Sequence, residues 1–312
     1  MKIFLAGASG ALGRQLVPRL VDRGHQVVGM TRTPGKTALV RELGAEPVLV
    51  NGLDAAAVTA AVTAAQPDVV VNQMTELASI DMRHVDRSFA ATNTLRTTGT
   101  DNLLAAARAT GAARFVAQSY AGWPYARTGG PVKSEEDPLD SDPPAGYRET
   151  LDAIKYQEGV VTGSTAPAGV ILRYGGFYGP HTSISADGEI VEMVRKRRLP
   201  VVGGGTGVWS FIHIEDAATA TVAAIERAEP GVYNIVDDDP APVSTWLPGL
   251  AAAAGAKPPM AVPRWIGRLA AGEAATVIMT EGRGAANTKA RKELDWVLRY
   301  PSWRQGFPAL FT

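Results

Sequence analysis

Short apolar runs recur along much of the chain, separated by stretches whose apolar residues fall three or four positions apart. The runs lack the alternation of half-exposed strands, as is typical of strands buried on both faces of a parallel sheet. Strands are therefore predicted at 2–6, 26–30, 46–50, 68–72, 114–118 and 170–174, with helices between them. This alternation predicts an α/β fold with a doubly wound parallel sheet covered by helices on both faces.

A glycine-rich turn joins the first predicted strand to the first predicted helix. Gly7, Gly10 and Gly13 are spaced Gly-x-x-Gly-x-x-Gly between an apolar run and a helical stretch. In a dinucleotide site the first glycine permits the tight turn, the second lets the backbone approach a pyrophosphate, and the third lets helix and strand pack closely. The helix N-terminus would bind the phosphates through its free N–H groups. The cofactor-binding residues predicted here are Gly7, Ser9, Gly10, Ala11, Leu12 and Gly13; the alternative is a glycine-rich turn without a ligand.

Arg32 follows the second predicted strand, where this fold meets the adenosine ribose of a dinucleotide. NAD sites usually place an acidic residue there to accept hydrogen bonds from the ribose hydroxyls. A guanidinium accepts no hydrogen bond but binds phosphate well. Arg32, with Lys36 and Arg14 expected near by, therefore predicts NADP as the cofactor, unless it is a solvated surface arginine.

Composition narrows the classes of function. The chain has 312 residues, a formal net charge of zero and no cysteine. The balanced charge argues against nucleic-acid binding, and the lack of cysteine excludes disulfides and thiol catalysis. No apolar run reaches membrane-spanning length, and the first run is too short for a signal peptide. We therefore expect a cytoplasmic protein that acts on a small molecule without a metal, since the four histidines are scattered.

Further segments, taken with the glycine turn, resemble the short-chain dehydrogenase/reductase superfamily, in the extended and atypical branches that contain the NAD-dependent epimerases and dehydratases. The matching segments, in chain order, are Gly99-Thr100-Asp101-Asn102-Leu103-Leu104, Leu172-Arg173, Tyr178-Gly179-Pro180, 210–218 and 292–296. Arg96 departs from the pattern, because relatives carry Asn there. The resemblance implies a Rossmann-type core of residues 1–174 plus 209–236 and a smaller C-terminal substrate lobe of 175–208 plus 237–312.

The resemblance also implies further cofactor contacts. Leu53 would lie against the adenine, with Asp54 or Asn51 near its amine, although a plain polar turn with Asp54 as a helix cap fits the same residues. Gln73 would lie beside the cofactor at the end of the fourth strand, and Tyr174 would face the nicotinamide.

Relatives commonly form homodimers through the helices equivalent to about 93–108 and 148–162. A homodimer is therefore expected here, unless the apolar residues of these helices face the core. Those residues include Leu103, Leu104, Ala107, Ile154 and Val161.

The family's usual proton donor is absent. Most members carry Tyr-x-x-x-Lys on the helix equivalent to 148–161, with both side chains on one helical face. Lys155 matches the lysine that holds the nicotinamide ribose, whereas Leu151 stands at the tyrosine position and cannot carry a proton. Tyr120, assisted by Ser119, is the predicted proton donor or oxygen-binding group, with Lys155 lowering the pKa of its phenol.

The alternatives for that role are, in order, Tyr174, Tyr178, Tyr147 and bound water. The loop 126–146 is expected to line the entrance to the site, and its acidic run Glu135-Glu136-Asp137 is interpreted as a solvated surface. The function expected is an NADP(H)-dependent oxidoreductase that reduces a carbonyl or an activated double bond of a small molecule. The alternatives are an isomerase or lyase of the epimerase/dehydratase kind, and a non-catalytic NADP-binding sensor.

Overall fold

The computed structural model describes residues 1–76 and 81–312. The strands of the described chain are β1 Lys2–Ala6, β2 Gln26–Thr31, β3 Glu46–Leu49, β4 Val69–Asn72, β5 Arg114–Tyr120, β6 Val132–Lys133, β7 Ala168–Tyr174, β8 Gly176–Tyr178, β9 Val201–Val202, β10 Val208–Trp209, β11 Phe211–His213, β12 Gly231–Ile235, β13 Ala241–Pro242, β14 Ala261–Val262 and β15 Gly284–Ala285. The helices are α1 Ala11–Asp22, α2 Thr37–Glu42, α3 Ala55–Ala65, α4 Val85–Thr94, α5 Thr100–Thr110, α6 Arg148–Thr162, α7 Glu189–Arg195, α8 Ile214–Arg227, α9 Val243–Ala253, α10 Arg264–Glu281, α11 Thr288–Glu293 and α12 Trp303–Ala309.

A seven-stranded sheet forms the centre of the molecule, in the order β12-β7-β5-β4-β1-β2-β3. Every neighbouring pair in it is parallel. The chain moves outward from β1 to β2 and β3, and returns to the other side of β1 with β4. The carboxyl ends of β1 and β4 therefore border a topological switch point, where such sheets bind ligands. The predicted doubly wound parallel sheet is confirmed.

Helices cover both faces of this sheet. Ile3 and Leu5 of β1 belong to a core cluster with Leu16 and Leu20 of α1, which packs beside α8. Phe4 points to the opposite face and belongs to a second cluster, with side chains of α3 and α5. Burial on both faces explains why the strands are continuous apolar runs.

The chain between β4 and β5 contains two successive helices, α4 and α5. Helices α4 and α5 are joined by a π-helical turn, Leu95–Gly99. The helix predicted at 148–161 is α6. Strand β5 continues two residues beyond the predicted end, so Ser119 and Tyr120 lie on the strand itself.

The loop 126–146 is more ordered than its composition indicates. It contains β6, which pairs in parallel with β15 near the end of the chain. Glu135 in this loop accepts a hydrogen bond from the backbone N–H of Asn234 at 2.7 Å. The interpretation of Glu135 as a solvated surface acid is therefore wrong, because its carboxylate satisfies a backbone donor of the edge strand β12.

The C-terminal part of the chain has its own apolar cluster. It contains Tyr178, Phe211, Trp246, Trp303 and Phe307. Its short strands form two-stranded pairs outside the seven-stranded sheet, such as β14 with β9.

The five apolar residues expected at a dimer interface are all buried within the single chain: Leu103, Leu104, Ala107, Ile154 and Val161. They face the core, which was the stated alternative, and so they are not available to a partner.

Candidate active site

The glycine turn lies at the switch point of the sheet, between β1 and α1. The backbone N–H groups of Gly7 and Ala8 both donate to the carbonyl of Met30, at 3.2 Å. Gly7 has a φ of +93°, and a Cβ on it would lie 2.5 Å from the Gln73 carbonyl oxygen. A Cβ on Gly13 would lie 2.4 Å from the Ala8 carbonyl oxygen. Glycine is therefore required at both positions by the backbones of neighbouring segments.

Gly10 differs, because the space beside it is open. It caps α1 with an extended backbone, and no side chain caps this helix. A Cβ on Gly10 would have only the Gly7 carbonyl oxygen within 4 Å, at 3.3 Å. The first N–H groups of α1, from Ala11 to Gly13, have no acceptor within the helix. Open space in front of uncapped N–H donors fits the pyrophosphate of a dinucleotide.

Arg32 lies just beyond the end of β2, at the predicted ribose position. Its Nη1 donates to Oε2 of Glu76 at 2.5 Å, and about half of the Arg32 side chain is exposed. The hydrogen bond to Glu76 raises the pKa of Arg32 and lowers that of Glu76. Glu76 follows β4, on the other side of the switch point, and sequence reasoning gave it no role.

The turn after β3 uses its polar groups locally. Asp54 caps α3 by accepting from the N–H of Ala57 at 3.0 Å, and Asn51 accepts from the N–H of Leu53 at 3.1 Å. These bonds correspond to the polar-turn alternative. The side chain of Leu53 remains partly exposed and can cover an adenine ring.

Gln73 and Tyr174 lie together under the carboxyl edge of the sheet. Nε2 of Gln73 donates to the Tyr174 hydroxyl at 3.2 Å, and that hydroxyl also lies 2.7 Å from Oγ1 of Thr221. Burial raises the pKa of Tyr174 far above its usual value. Oε1 of Gln73 is buried and has no hydrogen-bond partner in the described chain. Gln73 therefore keeps one acceptor for a ligand, whereas the hydroxyl of Tyr174 is already engaged.

Leu151 is fully buried on α6, at the position where the family carries its tyrosine. It packs with Val85, Tyr147, Ala274 and Ile278, so residues far apart in the chain meet around it. No proton can come from this position, and neighbouring side chains fill its surroundings.

Tyr120 ends β5 beside this cluster. Its ring centroid lies 5.9 Å from that of Trp123, which packs edge-on against Tyr147 at 4.9 Å. Burial raises the pKa of Tyr120 to about 12. The expectation that Lys155 lowers this pKa is wrong, because Nζ of Lys155 donates to the backbone carbonyl of Asp140, at 2.6 Å. Its ammonium does not offset the burial of the phenol.

The hydroxyl of Ser119 points into a buried ion-pair network. It donates to Oε1 of Glu158 at 2.6 Å. Glu158 is bound by Arg173 through Nε at 2.8 Å and Nη2 at 2.5 Å, and Nη1 of Arg173 donates to the Tyr125 hydroxyl at 2.9 Å. Ser119 and Tyr120 are adjacent on a strand, so their side chains leave on opposite faces. The structure therefore does not bring the Ser119 hydroxyl to the Tyr120 phenol.

The two remaining alternative tyrosines are also enclosed. Tyr147 is buried in the Leu151 cluster, and Tyr178 is buried beside Phe307 in the C-terminal cluster. Burial raises the pKa of both phenols. Tyr120 is the one of the four candidate tyrosines that is not fully buried.

The family model for the NAD-dependent epimerase/dehydratase family matches residues 3–236. The chain belongs to this family. Its members bind a nicotinamide cofactor, and the glycine turn described above fits one. Within the described residues there is no group of three potential metal ligands and no helix long and apolar enough to cross a membrane.

Three curated proteins that this chain resembles are named as reductases. The 3-diazoavenalumate denitrifying reductase of a Streptomyces species is 42% identical over 98% of this chain and 99% of its own length. The 2-alkyl-3-oxoalkanoate reductase of Stenotrophomonas maltophilia is 31% identical over 82% of this chain and 76% of its own. The chain is accordingly an oxidoreductase that acts on a small molecule.

Solved structures of the family share the fold. A Thermotoga maritima UDP-glucose 4-epimerase, solved with UDP-glucose, gives a TM-score of 0.77 at 20% identity, covering 99% of this chain and 96% of that one. A human epimerase family protein solved with NADPH gives 0.76 at 19% identity, covering 99% of both chains. At these identities the likeness shows the fold alone.

Proposed function

We propose that this oxidoreductase uses NADPH to reduce a diazo compound that carries an aromatic ring, with release of dinitrogen. The observation that carries the proposal is Leu151, which is fully buried where the family places its proton donor. A reductase without that donor suits an acceptor that needs hydride but no proton. The full-length relative named as a denitrifying reductase of a diazo compound supports this class of acceptor.

The reaction balances without an acid. NADPH, when bound, supplies a hydride. An aryl diazonium ion gains that hydride as a new C–H bond, while the electron pair of the broken C–N bond leaves with dinitrogen. Neither change consumes a proton, so Leu151 is compatible with full turnover.

The cofactor contacts follow from the glycine turn. In this proposal the N–H groups of Ala11, Leu12 and Gly13 bind the pyrophosphate, with Gly7 and Gly10 allowing its approach and Ser9 beside it. Arg32 binds the 2′-phosphate of NADPH and releases Glu76 to do so. The charge-assisted contact of a guanidinium with phosphate supports NADP over NAD.

The remaining predicted contacts complete the cofactor site. Leu53 covers the adenine, and Gln73 accepts a hydrogen bond from the cofactor through its unpartnered Oε1. Lys155 binds the nicotinamide ribose after leaving the Asp140 carbonyl. Tyr174 supports Gln73 from beneath.

Aromatic side chains support an aromatic substrate. Tyr120, Trp123 and Tyr147 form a continuous group next to Leu151. Ring pairs at such distances gain from edge and offset contacts, and a substrate ring could join them in the same way. Because its pKa is about 12, the phenol of Tyr120 is neutral at pH 7 and serves as a hydrogen-bond donor and packing surface.

Carbonyl reduction is the second candidate. The relative named as a 2-alkyl-3-oxoalkanoate reductase supports it, as does the position of Tyr120 at the carboxyl end of a core strand. In that case Tyr120 would donate the proton, and Ser119 would act only through Glu158 beneath the strand.

We extend the proposal to the organisation of the protein. Residues 1–174 and 209–236 would bind the cofactor, and 175–208 with 237–312 would close over the substrate. The packing of Ala274 and Ile278 against Leu151 supports a site between these lobes. A cytoplasmic homodimer remains part of the proposal, formed through surfaces other than the five buried apolar residues, and light scattering at micromolar concentration tests it.

Tyr120→Phe separates the two candidates. NADPH oxidation is followed with diazotised 3-aminocinnamate and with a panel of β-keto acids. Under the diazo proposal the variant reduces the diazonium substrate within threefold of wild type, because no proton is transferred. Loss of a general acid would lower ketone turnover about 10²- to 10⁴-fold. Turnover of ketones alone, abolished in Tyr120→Phe, would replace the first proposal by the second.

A further inference from the structure

Arg96 is a buried arginine in an unusual helical turn. It lies in the π-helical segment Leu95–Gly99 between α4 and α5, and only 8% of it is exposed. Such π-turns are rare and occur frequently at functional sites. Arg96 also stands where relatives carry Asn, so its guanidinium is a feature of this chain.

The carboxylate of Glu158 offsets only part of the cost of burying the charge of Arg96. Nη1 donates to the neutral amide oxygen of Asn93 at 3.2 Å, and the guanidinium lies over the ring of Phe89 at 5.7 Å. No described carboxylate forms an ion pair with it, and residues 77–80 contain no acidic side chain. Burial lowers its pKa to about 10, so the side chain is still a cation at pH 7.

Arg173 shows how this chain otherwise treats a buried guanidinium. It is as buried as Arg96, and two of its nitrogens bind both oxygens of Glu158. Those contacts, with that of Ser119, occupy Glu158. A buried cation without such a partner is costly unless another anion reaches it. Because Arg96 hydrogen-bonds only to Asn93 within the described chain, and Glu158 is held by Arg173 and Ser119, its guanidinium can take a further anion.

The surroundings of Arg96 connect it to the proposed substrate site. Phe89, beneath the guanidinium, packs against the cluster around Leu151 and Tyr147. Trp123 packs against the same cluster and stands next to Tyr120. Phe89 below the guanidinium and Trp123 beside Tyr120 therefore pack against the same cluster.

We propose that Arg96 binds a carboxylate of the substrate, and that the substrate is therefore an aromatic carboxylic acid. A guanidinium matches a carboxylate through two parallel hydrogen bonds. One guanidinium suits a monoanion better than a phosphate dianion, and Lys155, the other cation of the proposed site, is bound to the Asp140 carbonyl. This inference rests on the proposed function, because it assumes that the aromatic group holds the substrate.

Binding of cinnamate and of methyl cinnamate to the NADPH-loaded protein tests the inference by calorimetry. Wild type binds the acid more tightly than the ester. In Arg96→Met the affinity for cinnamate falls about 10- to 100-fold, the loss of a charge-assisted pair, while the ester is unaffected. Arg87→Met is the matched control, since Arg87 is exposed on the same region of helix, and it leaves both affinities unchanged.

Several results would overturn the inference. Equal affinity of wild type for acid and ester would do so, as would an equal loss of both ligands in Arg96→Met, which would indicate a structural role. If Arg96→Met does not fold, Arg96→Lys keeps the charge, and it must retain the preference for the acid while losing the bidentate geometry. If the protein binds NADPH and turns over diazonium compounds that lack a carboxylate, but shows no preference for acids, this inference is refuted and the proposed function stands. Failure to bind NADPH would instead refute the proposed function.

Discussion

Replacing Gly10 by alanine tests the cofactor site in isolation from folding. Gly10 has φ −75° and ψ 174°, which alanine adopts without strain. The new Cβ would lie 3.3 Å from the Gly7 carbonyl oxygen and near no other atom within 4 Å. Alanine restricts the unfolded chain, which stabilises by about 0.4–1 kcal/mol where the backbone permits it. The free energy of unfolding should therefore stay within about 1 kcal/mol of wild type.

The methyl group would nevertheless stand where the pyrophosphate approaches α1. Loss of one charge-assisted hydrogen bond, about 1.5–3 kcal/mol, weakens NADPH binding about 10- to 100-fold. Calorimetric titration with NADPH and urea unfolding measure the two effects separately. Gly159→Ala is the control, since a Cβ there meets no atom within 4 Å and the position is far along α6. Unchanged NADPH affinity in a folded Gly10→Ala protein would refute the assignment of this turn.

Three further predictions concern other parts of the site and its support. Arg32→Ala should weaken NADPH binding at least tenfold and leave NADH binding unchanged. Glu76→Gln should tighten NADPH binding, because it frees the guanidinium of Arg32. Calorimetric titrations with both cofactors test this, and equal losses of NADPH and NADH affinity in Arg32→Ala would count against 2′-phosphate recognition. Ser119→Ala should lower the free energy of unfolding by about 1–3 kcal/mol, because Glu158 loses a buried hydrogen bond. Its turnover should stay within threefold of wild type. A hundredfold loss of turnover without a loss of stability would instead make Ser119 catalytic. Burial lowers the pKa of His213 to about 4, so as the pH falls the histidine of the unfolded chain is protonated before that of the folded chain. The free energy of unfolding should therefore fall by up to about 3 kcal/mol between pH 6.5 and pH 4. In His213→Gln the urea midpoint should lack this part of the decline.

The sequence was sufficient for the fold because its strands are buried on both faces. Continuous apolar runs separated by helical stretches leave few arrangements other than a parallel sheet with helices on both sides. The glycine turn could also be predicted, because the close backbone contacts of such a turn require glycine at positions 7 and 13. Local pattern therefore located the cofactor end of the site.

The substrate end depends on contacts between distant residues. The sequence predicted a role for Ser119 in catalysis, but its hydroxyl donates to Glu158 of α6, which is itself held by Arg173 of β7. Glu135 looked solvated, yet it binds the backbone of Asn234, about a hundred positions away. Such pairings follow from tertiary packing, and nothing in the local sequence indicates them.

The same limit applies to Arg96. The sequence marked it only as a departure from the family pattern, and its meaning depends on burial. An exposed arginine there would need no explanation, whereas the proposed carboxylate contact rests on a buried arginine that forms no ion pair among the described residues. The guanidinium of Arg96 is buried through the π-helical turn and the ring of Phe89, and neither feature can be predicted from the local sequence.

The origin of the hydrogen that replaces dinitrogen tests the central claim most directly. Diazotised 3-aminocinnamate is reduced with NADPH deuterated at C4, using both stereoisomers and a control without protein, and the cinnamate formed is examined by mass spectrometry. We predict that the enzymatic product carries deuterium from one stereoisomer of the cofactor and none from D₂O when unlabelled NADPH is used. Deuterium taken up at that carbon from D₂O would contradict direct hydride transfer and the account built on Leu151.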